Sequence, residues 1–229
     1  MQPITCELAF LELAEPDIKE AIQRLSANPC IRRLLVVPAL LFTAGHALED
    51  IPTAVQEALG GTAIELIGQT PALECSSAVL QLSAIRFRQA VCPAACLDAC
   101  SGLVCQKATW VLVGRGSSSQ SAAEKMRDFC RLRQSWTPVR QATTAFIYGQ
   151  SPTVPEALEL ASQSEAEIVV VQPHLLFSGL LMDELSQQVA DFGMKNPHQR
   201  WQVTQPLGAD QLLADLLANM ACDHLTAAS

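Results

Sequence analysis

Basic residues are scarce in this 229-residue chain: 15 Lys and Arg stand against 23 Asp and Glu, a formal net charge of −8. Without a basic stripe nothing neutralises a phosphate backbone, which excludes nucleic acid as a partner. Long apolar runs are missing too. No stretch of about 18 apolar residues is free of charge and proline, so no segment reads as a membrane span. The opening MQPITCELAF lacks the basic region and long apolar stretch of a secretory signal, which predicts a cytoplasmic protein. Gly114–Ser119 has neither the Lys nor the spacing of a phosphate-binding loop, so no nucleotide requirement is expected.

What is present points to a well-packed α/β protein. Hydrophobic residues make up 49% and charged residues 17%, a balance that suits strands buried on both faces. The nine cysteines are an odd number in a chain long enough to build its own core. They are expected to be reduced thiols rather than a disulfide framework.

One segment occurs twice. Residues 9–51, AFLELAEPDIKEAIQRL…RRLLVVPALLFTAGHALEDI, correspond to residues 145–185, AFIYGQSPTVPEALELA…EIVVVQPHLLFSGLLMDEL. Phe10 matches Phe146, Pro16 matches Pro152, Pro38 matches Pro173, and Leu40-Leu41-Phe42 matches Leu175-Leu176-Phe177. One extra residue, near Ala44–Gly45, separates the copies beyond that point. A repeat of this length is one folding module used twice. The copies differ at His46, whose aligned position in the second copy is Leu180.

Strand-like runs at 6–12, 32–40 and 62–68 alternate with helical spacing at 17–25, 46–60 and 71–91. Pro16 is expected in the first turn of the helix that follows it. The second half places strands at 109–114, 143–149, 168–173 and 201–208, with helices after 114 and at 153–163, 180–194 and 209–220. Such alternation implies parallel sheets with right-handed crossovers. The expected domains are residues 1–91, a Cys-rich connection at 92–107, and residues 108–229. The first module is shorter by one β–α unit, the counterpart of residues 109–140. This predicts truncation, a late start codon, or a unit supplied by another chain, the last giving self-association through the incomplete module.

The segments AFLELAEP (9–16), VVPALLFTAGHALEDIP (36–52), LVGRGSSSQSAAEKM (112–126) and VVQPHLLFSGLLMDEL (170–185) resemble the class II tetrapyrrole metal chelatases, specifically the long sirohydrochlorin cobalto- and ferrochelatases. PLGADQLLADL (206–216) is similar to that family's closing helix. The resemblance implies two similar α/β domains related by pseudo-two-fold symmetry and facing one another across a cleft, the first incomplete here. It implies a lyase that inserts Co²⁺ or Fe²⁺ into sirohydrochlorin on the route to cobalamin or sirohaem. The metal is then a substrate, and the tetrapyrrole the small-molecule partner.

Insertion needs a loosely held divalent metal and a base that titrates near the working pH, and neutral imidazole meets both needs. By resemblance His46 is the family's second active-site histidine, a metal ligand and proton acceptor. Glu12 resembles an acidic position beside the metal. Glu49 and Asp50 either help bring in the cation or simply open a helix, where the dipole favours carboxylates. The family's other active-site histidine lies in a G-H-G-S loop after the first strand of the catalytic module, a segment this sequence lacks. The equivalent loop of the second module reads Gly114-Arg115-Gly116-Ser117, and Arg115 is a candidate partner for a substrate carboxylate. The non-enzymatic alternatives are a tetrapyrrole- or metal-binding module and an inactive fragment of a longer chelatase.

Cys92, Cys96, Cys100 and Cys105 form C-x₃-C-x₃-C-x₄-C. Four thiolates so close have the ligand count of an iron–sulfur cluster or a zinc ion. The first three also fall on one stripe of an Ala-rich helix, where Cys packs as a small hydrophobe. His174 aligns with Ala39 and is expected to be packed or partly exposed; His198 and His224 carry no assigned role.

Overall fold

The computed structural model describes residues 4–43, 49–92 and 105–227. Two units emerge from its contacts: Met1–Ala72 with Leu217–Ser229, and Leu73–Leu216.

In the first unit, helix α1 (Ile18–Ser26) starts on a capping box. The Asp17 carboxylate accepts from the Glu20 amide at 2.7 Å, and the Glu20 carboxylate accepts from the Asp17 amide at 3.3 Å. Pro16 thus stands just before the helix rather than in its first turn. Strand β1 (Arg33–Val36) leads through α2 (Asp50–Leu59) to β2 (Glu65–Gln69), which pairs parallel to β1 with a register shift at Leu34/Leu35. Ile22, Ile51 and Val55 form the buried centre, with Leu34, Val36 and Leu66 packed against them. Residues of the C-terminal helix close this unit. Its His224 Nε2 lies 3.2 Å from the Ile67 carbonyl oxygen. A Cβ on Gly68 would fall 2.4 Å from that nitrogen, so the neighbouring position has room only for glycine.

The second unit begins with α3 (Ser77–Val91). It then runs β3 (Ala108–Gly114), α4 (Gln120–Gln134), β4 (Gln141–Phe146), α5 (Val154–Ser162), β5 (Ile168–Pro173), α6 (Leu180–Lys195) and β6 (Arg200–Val203), and enters α7 (Gln211–Ala227). The four strands are parallel in the order β4-β3-β5-β6. Strand β3 has a neighbour on both edges, and all seven of its residues are buried. Apolar side chains of β3 and β5 pack on Val154, Ala157, Leu158, Leu185 and Val189 from α5 and α6. α5 repeats the capping box of α1, with the Thr153 amide donating to Glu156 at 2.7 Å.

Helix α3 joins this unit around Arg133 of α4, which is 1% exposed. Its guanidinium lies 5.6 Å from the Phe87 ring and 5.1 Å from the Trp110 ring, and its Nε donates to Ser83 Oγ at 3.2 Å. Gln172 of β5 donates to the Ser83 carbonyl at 2.9 Å. Burial first, and the Arg88 cation second, push the Arg133 pKa down to about 10, so the group stays charged at neutral pH.

Several sequence expectations shift. The boundaries expected at 91 and 108 give way to an exchange of helices: α3 follows β2 in the chain but packs in the second unit, while the end of α7 follows β6 but packs in the first. Helix periodicity locates a helix but does not say which sheet it covers. The helix expected from 71 begins at Ser77, because Glu74 takes a left-handed turn with φ 48°. The strand expected at 6–12 is reduced to one bridge, Phe10 to Asp17. Its counterpart β4 is held by β3, and no described residue of the first unit stands in the place of β3. No helix among the described residues is long and apolar enough to cross a membrane.

Candidate functional site

Ligands of open parallel sheets bind beyond the carboxyl ends of the strands. In the second unit the turn after β3 presents Arg115, exposed. The turn after β4 presents Tyr148, 53% exposed, the connection after β5 presents Phe177, 62% exposed, and α6 opens on Leu180, 80% exposed. The backbone beneath them is tied together. The Tyr148 amide donates to the Arg115 carbonyl at 3.0 Å, and Gln150 Nε2 donates to the Ser117 carbonyl at 3.2 Å. Gly116 holds φ +81°, and a Cβ there would meet the Tyr148 carbonyl oxygen at 2.0 Å. A tied backbone therefore carries the exposed Arg115 in a turn hydrogen-bonded to the turn that exposes Tyr148, a combination suited to a flat molecule with carboxylate arms.

The first unit repeats the same turn with different side chains. The Phe10 amide donates to the Pro16 carbonyl at 2.9 Å, as the Phe146 amide does to Pro152 at 3.0 Å. Glu12 then occupies the place of Tyr148 and is exposed, its carboxylate open to solvent. Leu13 occupies the place of Gly149 and is 104% exposed. Among the described site residues, Glu12 and Arg115 thus belong to different units.

His46 lies outside the described residues, as do Cys96 and Cys100. Cys92 and Cys105 are buried. Among the described residues no group of three or more His, Cys, Asp or Glu side chains is placed to hold a metal ion. Glu49 and Asp50 are exposed at the start of α2. His174 is a packed histidine: 4% exposed, its ring 4.3 Å from that of Phe129, its backbone amide bonded to the Val113 carbonyl at 2.7 Å. Loss of solvation pushes its pKa down to about 3, so it is neutral at physiological pH. His198 is exposed, and His224 packs on β2. Tyr148, Phe177 and Leu13 escape a search for metal ligands and charged groups; the signal for them is a bulky residue at a strand-end position of a repeated module.

The CbiX family profile matches residues 1–90 and 109–224, nearly the whole of both repeats. A sirohydrochlorin ferrochelatase of Priestia megaterium is 26% identical over 218 residues, covering 93% of this chain and 75% of that protein. A sirohydrochlorin cobaltochelatase of the same organism is 25% identical over 231 residues, covering 97% of this chain and 70% of that protein. SirB from Bacillus subtilis, solved with Fe³⁺, shares the fold with a TM-score of 0.79 and 23% identity, over 95% of this chain and 81% of that one. With the repeat, the parallel sheets and a profile match through both modules, the chain belongs to the CbiX family.

Proposed function

We propose that this protein is a lyase that inserts a divalent metal, Co²⁺ or Fe²⁺, into sirohydrochlorin. The observation that carries the reading is that the family match runs through both modules, and that relatives covering nearly the whole chain are sirohydrochlorin ferro- and cobaltochelatases. The product serves cobalamin or sirohaem synthesis, and the reaction takes place in the cytoplasm.

The chemistry is a metal-for-proton exchange. One divalent cation enters the macrocycle and two pyrrole N–H protons leave, so the macrocycle carries the same net charge before and after and the cation's two charges depart as protons. The neutral imidazole of His46 binds the incoming cation and takes a pyrrole proton as the metal–nitrogen bonds form. The Glu12 carboxylate shares the cation's charge and relays protons to solvent. Arg115, in the second unit, is the candidate partner for a carboxylate arm of the substrate. The residues so assigned are either oxygen and imidazole donors, which accept cobalt and iron alike, or substrate-holding groups.

The test is the absorbance change of sirohydrochlorin on addition of Co²⁺ or Fe²⁺. Metal insertion well above the protein-free rate is expected. A folded protein that binds sirohydrochlorin but leaves the rate unchanged would favour a tetrapyrrole-binding module instead.

A further inference from the structure

Main-chain hydrogen bonds join the loops at the carboxyl ends of the second unit's strands. After β4, the Ile147 and Tyr148 amides donate to the Gly114 and Arg115 carbonyls, both at 3.0 Å. After β5, the His174 amide donates to the Val113 carbonyl at 2.7 Å. Beyond β6, the Leu207 and Gly208 amides donate to the Leu175 and Leu176 carbonyls at 2.9 and 2.7 Å. Glycine lets the turns after β3 and β4 touch. A Cβ on Gly149 would fall 2.9 Å from the Ser117 carbonyl oxygen, as one on Gly116 would strike Tyr148. The backbone therefore holds this platform together, and the exposed side chains on it are left for other work.

The repeat shows where those side chains depart from the first unit. Tyr148 aligns with Glu12, and Leu180 aligns with His46. At both positions where the first unit carries a group assigned to the cation, the second carries a bulky, largely apolar one. Both are exposed, 53% for Tyr148 and 80% for Leu180. Neither the hydroxyl nor the ring of Tyr148 has a hydrogen-bonding or aromatic partner among the described residues. The Arg115 guanidinium, in the turn bonded to it, has no ion-pair partner among them either. In a chain with 23 acidic and 15 basic residues, an arginine left without a carboxylate is open to one from outside.

We infer, on the strength of the function proposed above, that Tyr148 holds the substrate: its ring packs on the tetrapyrrole beside the carboxylate arm that Arg115 takes. An aromatic side chain offers a large apolar face at the loss of only two torsions, and its hydroxyl end stays in water. The tied backbone beneath it lowers the ordering cost of that contact further. A glutamate at this point, as in the first unit, would set a negative charge against the acidic arms of the substrate. The two copies of one turn thus divide the work, Glu12 toward the cation and Tyr148 toward the ring.

The experiment titrates metal-free sirohydrochlorin into the full chain labelled with 3-fluorotyrosine. Tyr148 is the only tyrosine, so the fluorine NMR spectrum has a single signal to follow. Macrocycle absorbance is recorded alongside as an independent measure of binding. We expect the fluorine signal to move in step with the absorbance change, displaced by the ring current of the bound macrocycle. Tyr148→Ala should bind about ten-fold more weakly, and Tyr148→Phe within about two-fold of the parent, since the ring is what makes the contact. Binding by absorbance with an unmoved fluorine signal, or undiminished affinity in Tyr148→Ala, would overturn this inference and leave the proposed function standing. No sirohydrochlorin binding by the folded parent chain would overturn the proposed function, and this inference with it.

Discussion

Leu13 and Gly149 hold the same left-handed backbone, φ 64° and 68°, at the same point of the two repeated turns. Glycine reaches that region without penalty, while an L-residue pays roughly 1–2 kcal/mol for it. Leu13 is fully exposed and recovers nothing by packing. Leu13→Gly is therefore expected to be neutral or to stabilise the protein by about 0.5 kcal/mol after the glycine's entropy is counted, and Leu13→Val to destabilise it by about 1 kcal/mol. Urea unfolding of the three proteins checks this. Equal loss in both variants would mean that the leucine side chain has contacts of its own.

Glu12 and Arg115 should separate kinetically. Glu12→Gln keeps the shape but removes the charge proposed to share the cation's, so kcat should fall by about ten- to a hundred-fold for either metal. The role proposed for Arg115 is to hold a carboxylate arm away from the reacting centre, so in Arg115→Ala the KM for sirohydrochlorin should rise by about ten-fold with kcat little changed. Steady-state insertion assays give both numbers. A fall in kcat for Arg115→Ala would place that side chain at the reacting centre.

The packed His174 imposes a pH dependence on stability. Its folded pKa is pushed to about 3, below the ordinary value of 6.5. Above pH 6.5 both states are neutral and nothing changes. Between 6.5 and 3 the unfolded chain binds a proton that the folded one refuses, so stability falls as pH falls, by about 2 kcal/mol at pH 5. His174→Gln should remove that component. Denaturation at pH 7 and pH 5 for both proteins measures it, and an identical pH dependence in the variant would contradict the burial account.

Much of this architecture is legible in the sequence. The strand-like apolar runs and the helical spacing locate β1 to β6 and most helices, and the paired prolines and phenylalanines reveal the repeat before any coordinates. Other features are not legible, for physical reasons. Residues 6–12 have strand composition, but a strand needs a ladder partner, and composition does not say whether one is present. Glu74, after β2, and Gly208, after β6, both adopt left-handed backbone, φ 48° and 77°, yet only one is a glycine. The exchange of α3 and α7 between units is a tertiary choice, made by contacts such as Arg133 with Phe87 and Trp110. Of the candidate site, Arg115 is exposed after β3 and Glu12 is exposed in the turn that the Phe10–Pro16 hydrogen bond closes, whereas Tyr148 and Phe177 carry no chemical signature in a sequence.

Arg133 tests that tertiary choice. Arg133→Ala removes two cation–aromatic contacts and the buried stem, and leaves Ser83 without its guanidinium donor. A loss on the order of 3 kcal/mol is expected, with hydrogen exchange accelerated first in α3. Acceleration confined to α4 would show that α3 is held in the second unit by other contacts.

The most direct test of metal insertion is a side-by-side comparison of the parent chain, His46→Ala and His198→Ala, with sirohydrochlorin and Co²⁺ followed by absorbance. Insertion by the parent above the protein-free rate, retained in His198→Ala and lowered at least about a hundred-fold in His46→Ala, is the expected result. Equal rates in the parent and His46→Ala would contradict the assignment of metal binding and proton transfer to His46.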